Sequence, residues 1–332
     1  MLLSNEHLIT LQNVKGIGAT SINKICAEME RRGLSDFTTY DLYDFLEELI
    51  SNKILTRVTM PEFGDFERAN STAKKIISYS EIKGIHIVSR YDMSFPRMLL
   101  NTVDELGKPS VPILLYYKGN LSITKKTALA VIGTREPTDA GIKAGYYYAE
   151  AFAGIGVNIV SGLAIGCDTS GHRGALDAGG VTTAFVAHGL DYVYPMENGR
   201  LSEEIIEKGG LLISEYAIGT KVNRYRLAAR DYLQAGLSNA TLVVQTGVCG
   251  GTMHAVHATQ RANKPLMVVA YRDDQGEKGE GNSLLISQGA FALRASKEEI
   301  AGNPQKYISL LSGEAQPYSP QYTQEFFMDT LF

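Results

Sequence analysis

Residues 128–162 read ALAVIGTREPTDAGIKAGYYYAEAFAGIGVNIVSG, and this stretch decides the fold. An apolar run at 128–134 closes on a glycine turn, helical spacing follows over 139–154, and a second apolar run occupies 157–162. Strands that are apolar throughout are typical of a parallel sheet covered on both faces. The stretch therefore predicts a strand, a helix and a second strand parallel to the first.

The same alternation continues towards residue 290. Further strands are predicted at 181–189, 210–216, 240–247 and 265–271, and further helices at 168–178, 201–208, 228–236, 252–262 and 283–288. Right-handed crossovers place such helices on both faces of the sheet. We therefore predict an α/β fold with a Rossmann-like, doubly wound, mostly parallel sheet. In this class, ligands bind at the carboxyl ends of the strands.

A small helical domain is predicted for residues 1–85. Apolar residues recur at helical spacing on both sides of Gly16-Ile17-Gly18, as in a helix-hairpin-helix or SAM-like domain, where glycines let backbone amides approach a phosphate. An ordinary pair of helices is an equally open alternative. We expect residues 86–110 to be a connecting segment, 111–300 to be the sheet domain and 301–332 to be a C-terminal tail.

Composition narrows the class of protein. The chain has 332 residues, enough for two domains, and a net charge of −4. A global positive field is thus absent, and nucleic acid would have to bind at a local basic patch. The three cysteines, Cys26, Cys167 and Cys249, are odd in number and far apart. They indicate neither a disulfide framework nor a zinc site, and they fit a reducing cytoplasm.

Several kinds of motif do not occur. There is no run of about 18 apolar residues and no signal-peptide pattern, so we expect a cytoplasmic protein without a membrane span. Neither a dinucleotide-binding GxGxxG after the first strand nor a P-loop occurs, so no cofactor is expected, and no metal either. No nucleophile–base pair is evident. We therefore expect a binding protein and not an enzyme.

Glycine-containing loops follow the predicted strands. They include Gly133-Thr134-Arg135, Ser161-Gly162 and Gly250-Gly251-Thr252. Each loop precedes a helix, whose free N–H groups and partial positive charge favour anions, and Arg135 adds a bidentate phosphate donor. A tight turn explains any single loop. Several such loops at one sheet edge predict a phosphate-binding site.

The most basic short stretch is KVNRYRLAAR at 221–230. Its cations are Lys221, Arg224, Arg226 and Arg230, and we place the stretch just before a helix at 228–236. An aromatic ring that stacks on a base beside phosphate-binding arginines is typical of single-strand binding. A solvated loop is the alternative.

These motifs together resemble the DprA/Smf family of bacterial DNA-processing proteins. The resemblance is carried by VIGTR at 131–135, IVSGLA at 159–164, GLD at 189–191 and AGLS at 235–238. It implies a cytoplasmic homodimer that binds single-stranded DNA, protects it and loads the RecA recombinase onto it during natural transformation and DNA recombination. It implies no catalysis and no cofactor.

The sequence departs from the family pattern in places. The family's Arg-Asn-Arg becomes Arg230-Asp231-Tyr232, which loses a cation and gains an anion and should weaken phosphate binding. The family's glutamate after the fifth strand becomes Gln245, and CGGT at 249–252 replaces its Ser-Gly turn. A GGT turn also resembles the nucleotide-binding lysine-decarboxylase-like (LOG) proteins. The alternative is therefore a LOG-like nucleotide-binding enzyme or nucleotide sensor that uses the same anion pocket.

The C-terminal residues 324–332, QEFFMDTLF, are rich in phenylalanine. Two interpretations stay open for this segment: packing on its own domain, or docking on a partner as a short amphipathic peptide.

Overall fold

The computed structural model describes residues 3–313. These residues form two compact units, one made of residues up to 95 together with 112–116, the other of 96–111 together with 117 onward. The predicted C-terminal segment 324–332 lies outside the described residues. Within 3–313, no helix combines the length and the apolar character needed to cross a membrane.

The first unit is mainly helical, as predicted. Its elements are α1 (Asn5–Asn13), α2 (Ala19–Arg32), α3 (Thr39–Ser51), α4 (Phe63–Ile82) and the short strand β1 (His86–Ser89). The turn between α1 and α2 contains Gly16 at φ +87°, a conformation that favours glycine. The strand β2 (Leu114–Gly119) lies across the division between the two units.

The second unit is an α/β domain. Its strands are β3 (Ala128–Ile132), β4 (Asn158–Ser161), β5 (Thr182–Val186), β6 (Leu211–Ser214), β7 (Ala240–Val243), β8 (Leu266–Val269) and β9 (Phe291–Leu293). Its helices are α5 (Asp139–Gly154), α6 (Cys167–Asp177), α7 (Gly199–Glu207), α8 (Arg224–Leu237), α9 (Thr252–Arg261), α10 (Glu280–Ser287), α11 (Lys297–Gly302) and α12 (Pro304–Leu311).

The strands of this unit are parallel, in the order β6-β5-β4-β3-β7-β8-β9. The chain adds strands in one direction from β3 to β6, returns to the other side of β3 with β7, and continues outward to β9. The strand order therefore reverses between β3 and β7. This arrangement confirms the predicted doubly wound sheet and places its switch point at the carboxyl ends of these two strands.

Both faces of the sheet are covered by apolar packing. Alternate residues of a strand point to opposite faces. On β3, Leu129 and Val131 pack in the cluster that contains Phe152, whereas Ala130 and Ile132 pack in another. This double coverage explains why the strands are apolar throughout.

The structure corrects some predicted boundaries. The strands end two residues earlier than predicted at β3 and four residues earlier at β7. Helix α8 begins at Arg224 and not at 228, since the side chain of Asn223 accepts the backbone N–H of Arg226 at 2.9 Å and caps the helix. The prediction that the basic stretch precedes the helix is therefore wrong: Arg224 and Arg226 lie in its first turn. The strand β9 and the helices α11 and α12 were not predicted from the sequence.

Candidate functional site

A cleft opens at the carboxyl edge of the sheet, where the strand order reverses between β3 and β7. Its volume is about 520 Å³, and its lining comes from the loops after β3 and β7, one face of α8 and the start of α9. Eight of the residues predicted to bind phosphate line it: Gly133, Thr134, Arg135, Arg224, Arg230, Gly250, Gly251 and Thr252. The glycine loops and the arginines therefore share one surface.

Two other predicted residues lie beside or below the cleft. Gly162 lines a smaller neighbouring pocket of about 70 Å³ together with Arg135 and Arg230. Ser161 is fully buried, and its hydroxyl donates to the carbonyl of Val131 at 2.6 Å. The Ser161 hydroxyl is thus engaged within the sheet.

Lys221 and Arg226 line neither the cleft nor the smaller pocket. The ammonium of Lys221 lies 4.4 Å from the ring centre of Tyr192, and the guanidinium carbon of Arg226 lies 5.3 Å from that of Tyr216. Arg226 also donates to the backbone carbonyl of Lys221. These two cations therefore lie near the start of α8 and already contact aromatic rings.

Arg230 is the most buried of the cleft arginines, with 5% of its surface exposed. Its Nη1 lies 3.5 Å from Oδ2 of Asp168, and its Nε lies 3.2 Å from Oδ1 of Asp231. Two carboxylates thus compensate one guanidinium. Removing Arg230 would leave both carboxylates without their counter-charge, which is costly.

Both carboxylates are held away from solvent. Burial raises the pKa of Asp168, although Arg230 acts in the opposite direction. Asp168 also accepts the backbone N–H groups of Gly162 and Ala164, at 3.1 and 3.2 Å. Burial likewise raises the pKa of Asp231 to about 6, against the opposing charge of Arg230. Asp168 therefore ties the loop after β4 to Arg230, while Asp231 takes up a proton at higher pH than an ordinary aspartate does.

Only some of the charged side chains that line the cleft are accessible to a ligand. Three arginines and three carboxylates line the cleft: Arg135, Arg224, Arg230, Glu136, Asp168 and Asp231. Arg230 and the two aspartates are largely buried against one another, whereas Arg135, Arg224 and Glu136 are exposed. Arg135 and Arg224 are therefore the cations best placed to meet an incoming anion.

Among the described residues, two polar side chains in the cleft have an unused donor: Gln234, and Arg230, whose Nε forms an ion pair but no hydrogen bond with Asp231. Gln234 is 1% exposed, and its Nε2 has no hydrogen-bond partner among residues 3–313. Leaving such a donor unpaired costs about 1–3 kcal/mol, and a bound acceptor would remove that cost. Neither Gln234 nor the packing role of Asp231 was predicted from the sequence. The available signal was the helical spacing of Leu227, Arg230, Asp231 and Gln234, which places all four on the cleft side of α8.

Gln245, one of the departures from the family pattern, has a visible role. Its Oε1 accepts the backbone N–H of Thr138 at 2.8 Å, and its Nε2 donates to the Thr138 hydroxyl at 3.0 Å. Thr138 is the N-cap of α5 and accepts the N–H of Gly141. Gln245 thus connects the end of β7 to the start of α5 across the switch point.

The fold and the cleft define a doubly wound α/β protein with a cleft of glycine loops and arginines at its topological switch point. By sequence, the chain belongs to the DNA recombination-mediator protein A family, whose model matches residues 86–303. That family is one of recombination mediators and not of enzymes. The DprA/Smf resemblance drawn from the motifs is thereby confirmed.

Individual relatives agree with this assignment. Protein Smf of Escherichia coli is 32% identical over 238 residues, which cover 71% of this chain and 61% of the relative. The X-ray structure of DNA processing protein A (DprA) from Streptococcus pneumoniae aligns with a TM-score of 0.72 at 25% identity, over 91% of this chain and 98% of that one. DNA processing protein A from Helicobacter pylori, which binds single-stranded DNA, aligns with a TM-score of 0.56 at 27% identity, over 69% and 96%. The chain thus spans about three fifths of the length of the E. coli relative.

Proposed function

We propose that this protein binds single-stranded DNA in the cleft at the carboxyl edge of its sheet. Its role would be that of a cytoplasmic homodimer that protects the strand and loads RecA onto it during natural transformation and recombination. Membership of the recombination-mediator family supports this proposal. So does the single-strand binding of the Helicobacter pylori relative, which shares the fold at 27% identity.

The observation that carries the proposal is the position of Arg135 and Arg224. Both guanidinium groups are exposed, and both line the cleft that the start of α9 closes. Helix α9 begins at Thr252 after two glycines, and no side chain caps it. The N–H groups of Met253 and His254 already donate to the carbonyls of Gly250 and Gly251. The amide of Thr252 and the two arginines are therefore the donors that would meet successive phosphates. Arg230, compensated by two carboxylates, would position the loop after β4 and supply a weaker contact.

An aromatic ring beside the cleft supports a single-stranded ligand. Tyr225 is 70% exposed, and the guanidinium carbon of Arg224 lies 4.7 Å from its ring centre. Unstacked bases can stack on such a ring, whereas the bases of a duplex are already stacked. Lys221 and Arg226 would extend the basic track along the strand.

The test is a fluorescence-anisotropy titration with labelled oligo-dT at low salt. Wild type should bind, and Arg135→Ala and Arg224→Ala should each weaken binding about tenfold or more, because each removes a charge-assisted phosphate contact. Arg261→Ala is the matched control: Arg261 is exposed at the far end of α9, away from the cleft. Absence of binding by wild type, or equal losses in all three variants, would refute the proposal.

A second candidate is the LOG-like nucleotide-binding enzyme or nucleotide sensor. The unpaired donor of Gln234 in the same cleft as Gly250, Gly251 and Thr252 favours it, because a small phosphorylated ligand could satisfy both. Thermal-shift measurements with mononucleotides and with oligo-dT separate the two candidates. Strong stabilisation by one nucleotide and none by oligo-dT would support this second candidate.

A further inference from the structure

Asp231 occupies an unusual place for an acidic residue in a phosphate-binding cleft. Its side chain is 15% exposed and lines the cleft. It neighbours Arg230 on α8 and approaches its Nε at 3.2 Å. The Asp231 carboxylate therefore shares the low-dielectric space that an incoming phosphate would enter.

The charges around Asp231 come from four elements. They are Arg230 on α8, Asp168 on α6, His254 on α9 and Arg135 in the loop after β3. His254 in turn lies 2.7 Å from Oε2 of Glu105. With both aspartates ionised, the buried group of Arg230, Asp168 and Asp231 carries a net charge of −1. With Asp231 protonated, the same group is neutral.

The net charge of this buried group affects how strongly a phosphate chain binds in the cleft. An extra negative charge within several ångströms of a phosphate repels it, and the repulsion is stronger at the effective dielectric of a protein surface than in bulk water. The same charge also neutralises part of the field of Arg135, one of the two exposed arginines of the cleft. Only the ionisation of Asp231, and no movement of the chain, is needed to change the net charge of the site.

We propose that Asp231 sets the affinity of the cleft for single-stranded DNA through its own proton, weakening binding when it is ionised and permitting tight binding when it is protonated. This inference rests on the proposed single-strand binding function. It assigns Asp231 as an affinity-determining residue that does not itself hold a phosphate.

The protonation behaviour of the free protein supports the proposal. Burial raises the pKa of Asp231 to about 6, so a modest further shift brings it into the neutral range. A bound phosphate chain disfavours the ionised carboxylate and raises this pKa further. By linkage, binding of DNA then takes up protons, and acid tightens binding to the same extent.

The test compares wild type, Asp231→Asn and a control carboxyl variant by anisotropy with oligo-dT at constant ionic strength between pH 5 and pH 8. Asparagine has nearly the same shape as aspartate but cannot ionise. At pH 8, Asp231→Asn should bind about tenfold more tightly than wild type, and the two should converge at pH 5. The control is Glu207→Gln, an exposed residue at the end of α7. It should follow the wild-type profile.

The outcomes separate this inference from the proposed function. If no variant binds at any pH, the proposed function fails and the inference fails with it. If wild type and Asp231→Asn bind with the same pH profile, binding stands and only the inference is overturned. If Asp231→Asn binds more weakly than wild type at pH 8, the carboxylate assists binding and the inference is again overturned. Thermal unfolding of the free variants establishes that each is folded.

Discussion

The guanidinium of Arg230 occupies the space that a side chain at residue 162 would need. A Cβ placed on Gly162 would lie 1.0 Å from Nη1 of Arg230 and 2.4 Å from Nε2 of Gln234. Arg230 in turn lies 3.5 Å from Asp168, which accepts the backbone N–H of Gly162. Gly162, Arg230 and Asp168 therefore hold one another in place beneath the cleft.

We expect Gly162→Ala to destabilise the second unit. The new methyl group would displace Arg230 and leave Asp168 without its counter-charge, at a cost of about 3 kcal/mol in the free energy of unfolding. Urea denaturation measures this loss. Gly154→Ala is the control, since a Cβ at this last residue of α5 would meet nothing within 4 Å. Equal stability of Gly162→Ala and wild type would contradict the close packing of Arg230 against Gly162.

A second prediction concerns the end of α8. The ammonium of Lys264 donates to the carbonyls of Ala235, Gly236 and Ser238 at 2.7–2.8 Å, and so satisfies acceptors that a helix end leaves unpaired. Lys264→Met should therefore lower the free energy of unfolding by about 2 kcal/mol. Urea denaturation measures this loss, and Lys126→Met, a change at an exposed lysine, is the control. A smaller loss for Lys264→Met than for Lys126→Met would rule out this capping role.

Local signals in the sequence were sufficient for most of the fold. Helix α5 was predicted at 139–154, and the structure has Asp139–Gly154, because Thr138 is a strong N-cap directly before the helical spacing. The start of α8 was misplaced by four residues, although Asn223 is also a good N-cap. Basic residues follow Asn223, and cations in the first turn of a helix oppose its dipole. The sequence pattern therefore favoured a later start for α8.

The candidate site was predictable only in part. Parallel strands bring their carboxyl ends to one edge, so the sequence could place Arg135 beside the Gly250–Thr252 turn. It could not show that Asp168 and Asp231 compensate Arg230, because the Asp168 contact joins α6 to α8 through tertiary packing. A contact between residues so far apart in the sequence cannot be predicted from a local pattern. For the same reason the unpaired amide of Gln234 appears only in the folded chain.

The ionisation of Asp231 should also change the free energy of unfolding with pH. Its pKa in the folded protein is about 6, above the ordinary value of 3.8, so the folded state binds this proton more tightly than the unfolded state. The contribution of Asp231 to stability therefore falls as pH rises from about 4 to about 6, and stays constant above that window. Asparagine cannot ionise, so the stability of Asp231→Asn should not show this decrease with rising pH.

The expected result is a gap between Asp231→Asn and wild type that widens in favour of the variant by about 1–1.5 kcal/mol between pH 5 and pH 8. Urea denaturation at each pH measures it. Glu207→Gln again serves as the control and should run parallel to wild type. A constant gap across this range would mean that Asp231 titrates with an ordinary pKa.

The last prediction tests direct phosphate contact by salt dependence. Each phosphate neutralised on a single strand contributes about −0.7 to the slope of log K against log salt. If Arg135 and Arg224 each hold one phosphate, Arg135→Ala and Arg224→Ala should each make the slope shallower by about 0.7, and Arg261→Ala should leave it unchanged. Arg230→Ala should change the slope less, because Asp168 and Asp231 already compensate its charge. Should Arg230→Ala reduce the slope as much as Arg135→Ala, the buried guanidinium itself reaches the DNA, and the two aspartates must release it on binding.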